Sequence, residues 1–278
     1  MAVTATKRSI LLLGESNVGK THYGAQFLKR LIVGRSSLKM NSQATNLGPF
    51  EDAMDNLADG RATGHTPSEV YNESVWPVIG SVGATTDLVW PDYGGEQIKT
   101  LIADHRIATV WRERIIDATD WLLLVRLHTL QWDADIFSRP LAELGKPVVE
   151  SLELRLSDQA RLIELLQMLL HVTAIDRNVP LRRPTLTVLL SCWDEVEAGS
   201  LPAAALRTEL PLLCDFIERN WDAPMAVGLS ALEKPLGREE SDQDYAIRGP
   251  EAFGYVVRPD GHLDRDITWP ITRLLTSA

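Results

Sequence analysis

Disulfide chemistry, a membrane span and a basic surface are all missing from this 278-residue chain. Its two cysteines, Cys192 and Cys214, are too few for a disulfide framework, and a reducing compartment is the simpler reading. No stretch approaches the roughly 18–20 apolar residues that a membrane span needs. Residues 1–8 lack the long apolar run of a secretory signal, since the apolar stretch from Ile10 stops at Gly14. A cytoplasmic location is expected. Lys and Arg number 28 against 38 Asp and Glu, a formal charge of −10. That balance argues against a duplex-binding surface, because phosphate backbones must be met by excess cations. It leaves room for a single nucleotide, for which a helix N-terminus and one or two local cations suffice. Phenylalanine is scarce at five, yet there are eight tryptophans. Trp76, Trp90, Trp121 and Trp269 sit in apolar stretches, which assigns them to core packing.

What is present is an ordinary globular composition, 45% apolar and 24% charged, arranged as strand-like runs alternating with helical patterns. Such alternation predicts an α/β sheet with helices on its faces. Strands are expected at residues 8–13, 74–79, 87–90, 121–127, 186–190 and 225–229, the second and third joined as a hairpin through residues 80–86. Helices are expected at residues 20–31, 50–58, 101–117 and 203–220. Another is expected at 157–173, where Ser157 is a plausible N-cap and Leu162, Ile163, Leu165, Leu166, Leu169 and Leu170 recur at helical spacing. Residues 233–266 read as a polar, turn-rich segment. No repeat, low-complexity tract or Pro/Gly linker divides the chain, so one domain over residues 1–278 is expected.

One motif dominates. Gly14-Glu15-Ser16-Asn17-Val18-Gly19-Lys20-Thr21 follows an apolar strand and opens an amphipathic helix, the context that a P-loop requires. Its glycines let the backbone wrap closely round phosphates and point N–H groups inward. Lys20 can reach the β- and γ-phosphates, and the Thr21 hydroxyl can hold Mg²⁺. The helix behind the loop adds its positive N-terminal end.

The loop alone does not choose between ATP and GTP, or between kinase, motor and switch. Four further signals stand in order along the chain. Asp92-Tyr93-Gly94-Gly95 follows a strand; a carboxylate there can hold Mg²⁺ through water, while the Gly95 N–H meets a γ-phosphate. Alone this is a pattern that many turns share. Asp194, in Ser191-Cys192-Trp193-Asp194, can accept from guanine N1–H and the N2 amino group, a pattern adenine lacks. An ordinary loop or capping aspartate is its competing reading. Ser230 and Ala231 close the next strand, where a backbone N–H can contact the guanine carbonyl. Thr66, ahead of the hairpin, can reach Mg²⁺ and the γ-phosphate; Thr85 and Thr86 are rivals placed later in the chain.

In this order, residues 17–21, Thr66, Asp92-x-x-Gly95, Asp194 and Ser230-Ala231 resemble the five motifs of translation-factor-related and Ras-like GTPases. More narrowly, Gly60-Arg61, Thr66-Pro67, Gly95-Glu96, Gly249-Pro250 and Pro259-Asp260-Gly261 are similar to the bacterial double-GTPase group. The resemblance implies a six-stranded, mostly parallel sheet with helices on both faces. It implies GTP and GDP as ligands with Mg²⁺, held by Thr21, Thr66 and Asp92. It also implies a molecular switch acting on a protein partner, with segments around Thr66 and from Asp92 to Gln97 that change shape.

The chain departs from that family at three places. The guanine motif usually reads Asn-Lys-x-Asp with the lysine stem along the base, whereas Ser191 and Cys192 stand here; an inward Trp193 would offer a ring instead. Glu96 stands where the water-orienting glutamine is usual, with Gln97 next to it. Residues 128–184 form a long insertion, read as enlarging the core. A charge-stabilising arginine is worth about 10³–10⁵ in rate, and Arg61 and Arg106 are the internal candidates beside a partner-supplied one. A binding module without efficient hydrolysis is one alternative. An ATPase or small-molecule kinase is the other.

Overall fold

The structure, a computed structural model, describes residues 8–64, 72–80, 83–92, 102, 104–130, 157–173 and 179–276. Successive residues of a strand face opposite ways, and here both directions are apolar. In β1 (Arg8–Gly14), Leu11 and Leu13 join one buried cluster while Ile10 and Leu12 join another. β5 (Asp120–Arg126) repeats this, with Trp121, Leu123 and Val125 on one side and Leu122 and Leu124 on the other. Such strands need cover on both faces, which makes three layers. One outer layer holds α1 (Lys20–Val33), α2 (Gly48–Ala58) and α8 (Trp269–Thr276). The other holds α3 (Thr109–Asp117), α4 (Asp158–Thr173), α5 (Pro202–Glu209) and α6 (Pro211–Asn220).

The remaining strands are β2 (Leu38–Met40), β3 (Asn72–Gly80), β4 (Thr85–Asp92), β6 (Thr185–Ser191), β7 (Met225–Ser230), β8 (Tyr255–Val257) and β9 (Leu263–Asp264). They form one sheet in the order β2-β3-β4-β1-β5-β6-β7-β8-β9. This corrects the expected six-stranded, mostly parallel sheet. Among the described residues the sheet has nine strands, with parallel pairing at β1–β4, β1–β5, β5–β6 and β6–β7. Pairing is antiparallel at β2–β3, β3–β4, β7–β8 and β8–β9. The β3–β4 hairpin was expected. The additions are short strands at the two edges.

Two helices also differ from expectation. Residues 203–220 form two helices, α5 and α6, because Leu210 precedes Pro211 and adopts φ −136°. A residue before proline is disfavoured in the α region, so the helix stops there. The expected helix 101–117 is interrupted: residues 102 and 104 are helical, His105 has φ 49°, which a right-handed helix does not accommodate, and α3 follows from Thr109. At α4, Ser157 does act as the cap, its hydroxyl accepting from the Ala160 N–H at 3.2 Å. The five leucines singled out in the sequence are buried against the sheet.

The segment 233–266 is more structured than its polarity suggests. It contributes α7 (Gln243–Arg248), β8 and β9, and it docks on α1 through buried polar side chains. Tyr23 donates to the Ile267 carbonyl at 3.1 Å, and Gln26 Nε2 donates to the Pro250 carbonyl at 2.9 Å. Arg30 donates to the carbonyls of Phe253, Gly254 and Arg265. These three residues share one face of α1 at near-helical spacing. No helix among the described residues is long and apolar enough to cross a membrane.

Candidate nucleotide site

The four parallel pairings bring the carboxyl ends of five strands to one edge, where open α/β sheets bind ligands. Gly14 and Asp92 each lie three residues beyond the Leu11–Val89 pair, so the two chain positions are level on neighbouring strands. On the other side Gly14 pairs with Leu124, Leu124 with Leu189, and Ser191 with Leu229. The ends of β6 and β7 therefore carry Asp194 and Ser230 to the same edge. Thr66, Gly95, Glu96 and Gln97 lie outside the described residues.

Within the loop, sequence dictates backbone. Asn17 and Gly19 take left-handed conformations, φ 64° and 81°, which Asn tolerates and Gly adopts freely. At Gly14 the demand is for space, since a Cβ would lie 2.9 Å from the Val18 side chain and 3.2 Å from Leu124. Lys20 Nζ donates to the carbonyls of Gly14 at 2.8 Å and Glu15 at 2.5 Å, so the ammonium is folded back over the loop. Gly19 is the N-cap of α1 and brings no side chain to its first turn, which also contains no acidic residue. A helix start lacking both a side-chain cap and a carboxylate suits an anionic ligand. The loop therefore fits a polyphosphate.

Glu15 is the loop's own carboxylate, and it is engaged elsewhere. Arg161 of α4 holds it in a bidentate pair, Nε to Oε1 at 2.6 Å and Nη2 to Oε2 at 2.7 Å, and also pairs with Asp158. α4 thus bears directly on the phosphate loop as well as packing in the core. Between them lies a cleft of about 300 Å³, walled by Glu15, Asn17, Arg126, Leu130, Arg161 and Leu162.

Where the ends of β6 and β7 meet, the Ser230 hydroxyl donates to Asp194 Oδ1 and accepts from the Glu233 N–H at 2.9 Å. Ser230 is fully buried and Asp194 exposed, so the serine side chain positions the carboxylate. Ala231 is half-buried beside it. Trp193 is not available to a base: it is 6% exposed, and a Cβ on Gly228 would lie 2.4 Å from its ring. Cys192 adopts φ 51°, and burial pushes its thiol up to about 11, which keeps it protonated and uncharged at neutral pH. Tyr255, opposite Ser230 in the β7–β8 ladder, has its phenol pushed up by burial and then by the Asp194 charge.

Four residues not singled out in the sequence contribute here: Arg161, Arg126, Glu195 and His22. None belongs to a motif: His22 and Glu195 follow Thr21 and Asp194 in the chain, whereas Arg126 and Arg161 come close only through strand register and helix packing. His22, next to Thr21, accepts the Thr63 N–H through Nε2 at 3.1 Å and so anchors the stretch leading towards Thr66. Burial, then the Arg238 charge, lowers its pKa from 6.5 to about 4. The folded protein therefore favours neutral His22, and its contribution to stability is complete above pH 6.5. It is lost as pH falls from there through about 4. Thermal unfolding across that window is expected to show a steeper loss in wild type than in His22→Gln; equal slopes would remove His22 from the pH response.

Of the candidate arginines, Arg61 pairs at 4.0 Å with Asp59, and Arg106 is exposed. Among the described residues, no three His, Cys, Asp or Glu side chains gather as a metal site.

Loop, register and strand order define a P-loop nucleotide-binding protein. Residues 11–274 match the model of the Double-GTPase 1 family, and the chain belongs to that family of P-loop GTPases. It is thereby a guanine-nucleotide-binding protein. Among solved structures the chain is similar to the Arl6 BBS3 small GTPase of Trypanosoma brucei bound to the nucleotide analogue GppNp. Identity there is 14% over 80% of this chain and 87% of that one, with a TM-score of 0.38. It is also similar to a protein of Thermus thermophilus, at 14% identity and a TM-score of 0.32. That alignment covers 73% of this chain and 22% of the Thermus chain, so this chain spans under a quarter of its length. Among curated proteins none matches the chain.

Proposed function

We propose that this protein hydrolyses GTP to GDP and phosphate and works as a molecular switch on a protein partner. The observation that carries the reading is the convergence of residues 14–21, Asp92, Asp194 and Ser230 on one sheet edge in the order their motifs follow along the chain. Backbone N–H groups of the loop and Lys20 hold the phosphates, and Asp194, fixed by Ser230, accepts from the guanine edge. Mg²⁺, when bound, neutralises charge developing on the phosphoryl oxygens. Thr21, Thr66 and Asp92 are the residues that would hold it. Gly95 offers its N–H to the γ-phosphate, and Glu96, or Gln97 beside it, orients the attacking water. We read the chain as one cytoplasmic domain with an insertion at 128–184.

The test of the base assignment is Asp194→Asn, which inverts the hydrogen-bond pattern presented to the base. GTP affinity should fall by roughly 10²-fold while xanthosine triphosphate gains, because each lost charge-assisted bond is worth about 1.5–3 kcal/mol. An unchanged preference would remove Asp194 from base recognition. A nucleotide-holding module without turnover is the second reading, favoured by Cys192 and Glu96. Single-turnover phosphate release separates the two: if wild type is as slow as Lys20→Ala, the hydrolase reading fails.

A further inference from the structure

The base-recognition turn carries no lysine. Cys192 stands where that lysine is usual, and its thiol is neutral. A cation nevertheless occupies that region, supplied by the neighbouring strand. Arg126, the last residue of β5, pairs in register with Ser191 and so stands beside the start of the turn. Its Nε donates to Glu195 Oε2 at 2.9 Å, and its Nη2 donates to Glu195 Oε1. Its Nη1 approaches the Asn17 carbonyl at 3.5 Å. One guanidinium therefore bridges the phosphate loop and the turn that carries Asp194.

A nucleotide with phosphates on the loop and its base at Asp194 must cross this bridge. We propose that Arg126 is a positioning residue for the base, its guanidinium forming the surface on which the purine ring rests. The inference builds on the reading of Asp194 as the base acceptor. Three features favour it over a purely structural ion pair. A guanidinium is planar, weakly hydrated and stacks on aromatic faces, which an ammonium does less well. The bidentate pair with Glu195 uses the edge of that plane and fixes its orientation, so little freedom remains to be lost when a ring settles on it. The side chain also keeps 27% of its surface open, whereas a bridge serving the fold alone has no need of an open face.

The experiment compares wild type, Arg126→Ala, Arg126→Lys and the double variant Arg126→Ala/Cys192→Lys. Each is titrated with GDP, GTP, ATP and inorganic tripolyphosphate, with thermal midpoints recorded alongside. Arg126→Ala is expected to weaken GDP and GTP about tenfold and to speed GDP release by a similar factor. Its tripolyphosphate affinity should stay within about twofold of wild type. Arg126→Lys should retain part of the affinity, and Cys192→Lys in the alanine background should recover most of it. Equal losses for GDP and tripolyphosphate would overturn the inference, because Arg126 would then act through the Asn17 contact on the phosphates. Unchanged nucleotide affinity in Arg126→Ala would overturn it too. Wild type that does not prefer GTP to ATP would instead defeat the Asp194 reading. The nucleotide-against-tripolyphosphate comparison would still judge Arg126, since any purine can stack.

Discussion

Lys20→Ala is expected to weaken GTP binding about 100-fold and to slow single-turnover hydrolysis by about 10²–10³. The two effects have different origins. In the ground state the variant loses charge-assisted hydrogen bonds worth about 1.5–3 kcal/mol each. During bond cleavage charge shifts over the phosphoryl oxygens, where a preplaced ammonium is worth more than in the ground state. The loop is affected as well, because Lys20 bonds the Gly14 and Glu15 carbonyls. Some loosening of the loop should therefore accompany the loss, visible as faster amide exchange at residues 14–19. Fluorescent-nucleotide titration and quenched-flow phosphate release measure the two effects. Affinity within threefold of wild type would mean that the loop does not hold phosphates as its geometry suggests.

The second large effect concerns stability. Trp90→Ala is expected to destabilise the protein by about 3–5 kcal/mol, which lowers the thermal midpoint by roughly 6–20 °C for a chain of this size. Trp90 is 1% exposed and stacks on Trp76 with ring centroids 4.8 Å apart. Phe50 meets both tryptophans edge-on, at 5.0 and 5.7 Å, and Tyr23 and Phe27 of α1 close the cluster. Trp76 keeps its indole N–H satisfied by Ser74 Oγ at 2.6 Å, so nothing polar opposes burial there. Truncation at position 90 removes contacts to α1, α2 and β3 together, and close packing leaves no neighbour able to fill the space. Since α1 opens with Lys20 and Thr21, nucleotide affinity should drop with stability. Scanning calorimetry checks the first part, and Trp90→Phe should cost much less. A midpoint shift under about 3 °C would show that the cluster does not hold α1 against the sheet.

Much of this was legible in the sequence, for identifiable reasons. The loop was readable because polyphosphate binding fixes residue type at each position and demands a strand before it and a helix after. The central strands were readable because both faces are buried and their apolar runs are unbroken. β2, β8 and β9 were not, since two or three residues carry no periodicity. Docking of the tail depends on Tyr23, Gln26 and Arg30, polar residues whose burial no hydropathy pattern announces. Arg126 and Arg161 were invisible for another reason. Their roles come from strand register and from a contact between residues 146 positions apart. The break at Pro211 is local in origin, since proline disfavours the α region for whatever residue precedes it.

The short outer strands restrict how another chain can approach. A sheet normally offers its rim as a template, with rows of unpaired N–H and C=O groups inviting a further strand. Here one rim ends in three residues of β2 and the other in two residues of β9. Beyond β2, the chain turns back on β3 through the Asn41 N–H to the Pro77 carbonyl and the Thr45 N–H to the Val75 carbonyl, which uses the ladder that would otherwise be left. A partner seeking main-chain pairing would find too few rungs at either margin. Among the described residues, the side chains of the helical layers and of the ligand-bearing end are the broader surfaces left open to a protein partner.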